Sequence, residues 1–119
     1  MVTDVEWDLA LKAMELAGIR DGRAAGSWVA DGNTSEIALR HMLKMWDDGD
    51  PAAPDAPQPF SGEWADSATV EDVIDAETEL DAESLTPEER DDLATTYETA
   101  YAAAWYDEAE STVRGFLPE

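Results

Sequence analysis

The chain carries one histidine, His41, and no cysteine, so nucleophilic catalysis is poorly supplied. His41 sits in ALRHMLK, a helical context with Arg40 and Lys44 as neighbours. A Ser–His–acid set would have to be assembled around it from distant positions. A helix histidine, exposed or half-buried, is the expected role. Carboxylates are in excess: any two of the 29 acids can pair by chance, so a pair says nothing specific about glycoside chemistry. In DGNTSE, Asp31, Asn33 and Ser35 alternate like the start of a calcium loop. An EF-hand needs Gly at its sixth position and Glu at its twelfth, and these positions hold Glu36 and Met42. DDGD, Asp47 to Asp50, reads as a helix end with a turn. The expectation is a non-enzymatic protein with no catalytic residue, no cofactor and no metal site.

Charge is the strongest compositional signal. The 119 residues hold 29 acids and 7 bases, a net charge of −22. Residues 1–46 hold 7 acids and 5 bases, whereas residues 47–119 hold 22 acids and only Arg90 and Arg114. Such a field repels nucleic acid and anionic membrane and attracts basic protein surfaces. Direct nucleic-acid binding is therefore not expected. A solvated or halophilic surface is the competing reading, but a halophilic bias should not stop at one boundary in the chain. No apolar run approaches the roughly 20 residues of a membrane span. MVTDVEWD has neither a basic nor an apolar signal region, so a cytoplasmic location is expected.

The elements read as helices throughout. Thr3 or Asp4 can cap a first helix over about 4–31, with Val5, Leu9, Ala13, Leu16 and Ala17 inward, Trp7, Leu11 and Met14 widening that face, and Gly32 as its C′ residue. Asn33, Thr34 or Ser35 can cap a second helix over 35–48, with Ile37, Leu39, Met42, Leu43 and Trp46 as its apolar set. Gly49 and Pro51 end it. Residues 49–68 contain Pro51, Pro54, Pro57 and Pro59 and fit no regular element. Phe60 and Trp64 are too apolar for a free linker and are expected to pin this loop to the helices. A short helix follows over 69–79, with Val70, Val73, Ile74 and Leu80 inward. LTPEER then opens a long helix, 87–116, with Thr86 as N-cap and Pro87 at its first position. Its stripe runs from Leu93 through Tyr97, Tyr101 and Trp105 to Val113 and Phe116. The fold class is all-α: one helical domain over 1–119, a small bundle with a pinned proline-rich loop and a long C-terminal helix.

Gly22 and Gly26 interrupt the first helical pattern, although each costs a helix about 1 kcal/mol relative to alanine. Close approach of another helix would repay that cost. The counterpart is TAYAAAW, with Ala100, Ala103 and Ala104. A helix break near Gly18 to Gly22 is the alternative. A phosphate cradle would need the glycines before a helix N-terminus, not late in one.

GRAAGSWVADGNT (22–34), DDGDP (47–51) and SGEWAD (61–66), in that order, resemble a group of small acidic proteins of actinobacterial phages and their hosts. The resemblance implies a high-GC coding origin but no activity, and carries over no functional residue. By physical type alone, the chain is also similar to acidic phage antirestriction proteins, which display carboxylates where DNA would place phosphates.

Two modes of partner binding follow. In the first, an acidic face binds a basic surface of a host protein, in its sharpest form as a DNA mimic. Its residues are Glu71, Asp72, Asp75, Glu79, Glu88, Glu89, Asp91 and Asp92. Helix neighbours three and four apart lie about 5–6 Å from each other, near the spacing of phosphates. In the second, an adaptor contacts its partner through an aromatic anchor of Trp46, Phe60 and Trp64. Either suits a monomer or a homodimer.

Overall fold

A computed structural model describes residues 3–56 and 70–117. Over these the chain forms α1 (Asp4–Gly26), α2 (Glu36–Asp48), α3 (Val70–Glu77), a 3-10 turn (Ala82–Ser84) and α4 (Pro87–Phe116). No strand occurs among the described residues. The all-α class is what the helical periodicity predicts. No described helix is long and apolar enough to cross a membrane.

Capping chemistry sets most of the boundaries. The Thr3 hydroxyl accepts from the Glu6 N–H at 3.1 Å, and Ser35 accepts from the Ala38 N–H at 3.2 Å. At α4, Thr86 accepts from the Glu89 N–H at 3.1 Å while the Glu89 carboxylate accepts from the Thr86 N–H at 2.9 Å. This reciprocal box satisfies two donors that the helix itself leaves open. Gly49 ends α2 at φ 66°, a left-handed conformation that a β-carbon penalises.

The first and last helices form the spine. Gly18 faces the Tyr97 carbonyl, Gly22 the Tyr101 carbonyl and Gly26 the Trp105 carbonyl. Each four-residue step along α1 is matched by a four-residue step in the same direction along α4. The two helices therefore run parallel, and the intervening chain makes the return. α2 lies antiparallel to the far half of α4: Leu39 joins Val113 in one cluster, and Trp46 meets Trp105 edge-on at 6.3 Å. α3 returns to the start of α4, where Glu71 pairs with Arg90. Met14, Ile74, Leu93, Tyr101 and Trp105 lie in the main core between these elements. Complete burial of such a side chain contributes roughly 1.5–3 kcal/mol.

Several expectations require correction. The first helix stops at Gly26 rather than about 31. The Ser27 hydroxyl donates to the Ala24 carbonyl at 2.7 Å, and the N–H groups of Trp28 and Val29 turn back to Ala25 and Gly26. These tightened turns unwind the helix, so Gly32 falls in the connection and caps nothing. No break occurs near Gly18 to Gly22. Val5, Leu9 and Leu16 face solvent rather than the core, whereas Met14 and Ala17 are buried as expected, with Ala10 beside them. The reason is the glycine side: only that face lets α1 approach α4 closely, so the larger aliphatic face turns outward. Ile37 is likewise exposed, because α2 seats on α4 through Leu39, Leu43 and Trp46. The third helix ends at Glu77, two residues early. There the Thr78 hydroxyl donates to the Ile74 carbonyl at 2.7 Å and accepts from the Leu80 N–H at 3.1 Å. The 3-10 turn at 82–84 was not expected; Asp81 caps it by accepting from the Glu83 N–H at 3.1 Å.

Candidate functional site

The acidic candidates gather where α3, the 3-10 turn and the start of α4 adjoin. Glu71 on α3 reaches Arg90 on α4 at 3.4 Å, which brings the α3 acids and the first turns of α4 side by side. Not all of them serve the surface alone. The Asp75 carboxylate accepts from the Ala82 N–H at 3.0 Å and fixes the turn after α3. Glu89 belongs to the capping box, and Glu88 lies in the same first turn, where a negative charge complements the helix dipole. Asp72, Glu79, Glu88, Asp91 and Asp92 are exposed. The expected row Glu71–Asp75–Glu79 is not a continuous helical row, because α3 ends at Glu77 and Glu79 lies beyond it. Glu88 and Asp92 keep their one-turn spacing on α4.

Little positive charge offsets this field. Arg90 and Arg114, the two bases of residues 47–119, pair with Glu71 and with Glu110, the latter at 2.8 Å. Arg20 of α1 reaches across to Glu77 at 2.7 Å and also holds Asp21 at 2.9 Å. These two carboxylates, Glu77 foremost, stabilise the Arg20 guanidinium and raise its pKa. Asp21 in turn accepts from the Tyr97 hydroxyl at 2.5 Å. Burial first, and then this bond to Asp21, push the Tyr97 phenol upward. The Tyr97–Asp21–Arg20–Glu77 chain therefore ties α4, α1 and α3 together. It is a structural junction between three helices. No charged side chain among the described residues is buried.

The aromatic candidates divide. Trp46 is half-buried, and its indole N–H donates to the Pro54 carbonyl at 2.8 Å. Tyr106 on α4 donates to Asp55, which raises the Tyr106 pKa. The described part of the loop, 49–56, is thus pinned as expected, but by Trp46 and Tyr106. Trp46 is engaged in that clip and with Trp105. Phe60 and Trp64 lie outside the described residues.

His41 is exposed on α2. No three His, Asp or Glu side chains converge among the described residues as a metal ion would require. Asp31, the first residue of the calcium-like stretch, turns inward on its own loop and accepts from the Asn33 N–H at 2.8 Å. Asp50 does the same for the Ala52 N–H at 2.8 Å.

The sequence reading missed an apolar surface. Trp28 is 85% exposed in the α1–α2 connection and Ile37 is 84% exposed at the start of α2. The outward face of α1 adds Val5, Leu9 and Leu16. The signal was present as apolar spacing in α1, but it was assigned to the core because the largest apolar face of a helix ordinarily faces inward. No protein-family model, no curated protein and no solved structure matches this chain.

Proposed function

We propose that this is a non-enzymatic acidic protein of phage or prophage origin that acts in the host cytoplasm by binding a basic surface of a host protein. In its sharpest form it is a DNA mimic that inhibits a nucleic-acid-binding protein and binds no nucleic acid itself. The observation that carries the reading is the uncompensated charge of residues 47–119: 22 acids against two arginines, both already paired. Holding so many like charges on a small fold costs stability through self-repulsion. Solubility requires far less, whereas a basic partner would offset the cost on binding. Glu79, Glu88, Asp91 and Asp92 are the exposed carboxylates best placed for it, with Asp72 beside them. The adaptor reading is weaker, since Trp46 is occupied within the fold.

The test is capture on immobilised protein from an actinobacterial lysate, with stepwise salt elution and duplex DNA as competitor. DNA-binding proteins released at moderate salt and displaced by duplex are the expected result, because exposed charges are screened within about 8–10 Å at physiological ionic strength. Retention through high salt of a protein without DNA-binding activity would overturn mimicry. Dependence of that retention on Trp64 would restore the adaptor.

A further inference from the structure

We infer that the outward face of α1 is a docking seam for a basic amphipathic helix of the partner. Val5, Leu9, Lys12, Leu16 and Ile19 follow one another at spacings of four, three, four and three residues. That is the heptad repeat of a coiled-coil seam, about 21 Å long at 1.5 Å per residue. Among the described residues most of the seam is open: Val5 is 68%, Leu9 65% and Leu16 54% exposed, and Ile19 is half-buried. The buried positions Ala10, Met14, Ala17 and Gly18 lie on the opposite side of the same helix. α1 therefore has two working faces. Its small face packs on α4, and Val5, Leu9 and Leu16 of its large aliphatic face point away from the described elements. Shallow grooves of about 280 and 290 Å³ flank the seam. One is lined by Leu9, Ala10, Ala13 and Leu80, with Glu6 and Glu79. The other is lined by Glu15, Ile19, Ala100 and Ala103, with Arg23 and Asp107.

Charge selects the occupant. The positions beside a heptad seam set partner choice through ion pairs. Here they carry Glu6, Asp8 and Glu15, of which Glu15 pairs at 3.6 Å with Lys12 of the seam, and the one base among them, Arg20, is bound to Asp21 and Glu77. A helix with Lys or Arg along both edges of an apolar stripe fits this pattern. A second copy does not: it would bring another net charge of −22 against this one. Residues 57–69 do not fit either, since they hold Glu63 and Asp66 and no base. Lys12 within the seam favours one register, because a lone polar residue in such a seam fixes alignment at a cost in affinity. The inference rests on the basic partner proposed above and adds where that partner docks and in what form.

Three synthetic helical peptides of about 21 residues, three heptads each, test this by fluorescence anisotropy in about 150 mM NaCl. One has Leu in the seam and Lys beside it, one Ser in the seam and Lys beside it, and one Leu in the seam and Glu beside it. The full chain should bind the Leu/Lys peptide at least about tenfold more tightly than either other, a difference of about 1.4 kcal/mol. Leu9→Ser with Leu16→Ser should abolish that preference without moving the thermal midpoint, and Lys12→Leu should tighten binding. Equal binding of the two Lys peptides would remove the seam while leaving the acidic-surface function standing. Equal binding of the Leu/Glu peptide would remove charge selection, and no binding of the Leu/Lys peptide would remove the site. Dissociation of a wild-type dimer by the double substitution would make a second copy the occupant. A large fall in its thermal midpoint would mean that the chain covers its own seam. Either result overturns the inference.

Discussion

Gly22 of α1 lies directly against the backbone of Tyr101 on α4, so close that a β-carbon there would collide with the Tyr101 carbonyl. At Gly26 the same atom would stand 2.6 Å from the Trp105 carbonyl. Backbone cannot move aside as a flexible side chain can, so Gly22→Ala must part the two helices. The expected loss is about 3 kcal/mol in urea unfolding, at the upper end of overpacking costs. Gly115→Ala is the control. It meets open space in α4, and its helix propensity should add up to about 1 kcal/mol. Equal effects at both positions would refute the close-packed spine.

The bond from Tyr97 to Asp21 spans α4 and α1, and Tyr97→Phe should cost about 1.5 kcal/mol, as for a hydrogen bond to a charged group. The pH dependence has a definite sign. The folded state holds the Tyr97 proton more tightly than the unfolded chain does. Its contribution is therefore complete at neutral pH and is lost as pH rises beyond the ordinary tyrosine value of about 10. Burial raises Tyr101 in the same direction. Tyr97→Phe should thus make the alkaline decline of the unfolding free energy shallower without abolishing it, which urea titrations across that range would read.

Helix existence was legible because caps and periodicity agree locally: Thr3, Ser35 and Thr86 each cap the helix that follows. The α1–α4 contact was legible from Gly22 and Gly26, whose propensity cost needed a reason. Gly18 extends the stripe by one turn, since it stands against Tyr97. The orientation of α1 was misread because two faces of one helix competed. Apolar size favoured Val5, Leu9 and Leu16, while close approach required the glycines. Which face wins depends on the shape of α4, and a local pattern does not contain that shape. The acidic surface was legible as composition, but the division of labour within it was not. Asp75 has a structural partner, the Ala82 N–H, that only the turn after α3 brings near, and Glu89 is held locally by the Thr86 cap.

Trp46 and Trp28 should behave oppositely. Trp46→Phe deletes the donor to the Pro54 carbonyl while keeping an aromatic ring, and should cost about 1 kcal/mol. Amide exchange at Ala53, whose N–H bonds to the Asp50 carbonyl, should accelerate in the same variant because the clip over that turn is loosened. Trp28→Ala removes a far larger group from an exposed position and should change stability by less than about 0.5 kcal/mol. A large loss at Trp28 would show that its ring is covered.

Self-repulsion predicts an unusual response to salt. The net charge is −22, and among the described residues three arginines, Arg20, Arg90 and Arg114, pair with acids of residues 47–119. Screening over about 10 Å at 0.1 M, and about 3 Å at 1 M, weakens this repulsion more than it weakens a few exposed pairs worth about 0–1 kcal/mol each. The thermal midpoint should therefore rise with NaCl. Arg20→Ala provides the internal check. It leaves Glu77 and Asp21 without their shared cation, so its cost should be greatest at low salt and shrink as salt is added. Arg40→Ala removes only a pair to Glu36 within one helix and should show little dependence. A midpoint that falls with salt would mean that ion pairs, not repulsion, dominate the electrostatics of the fold. The stability argument for a basic partner would fall with it.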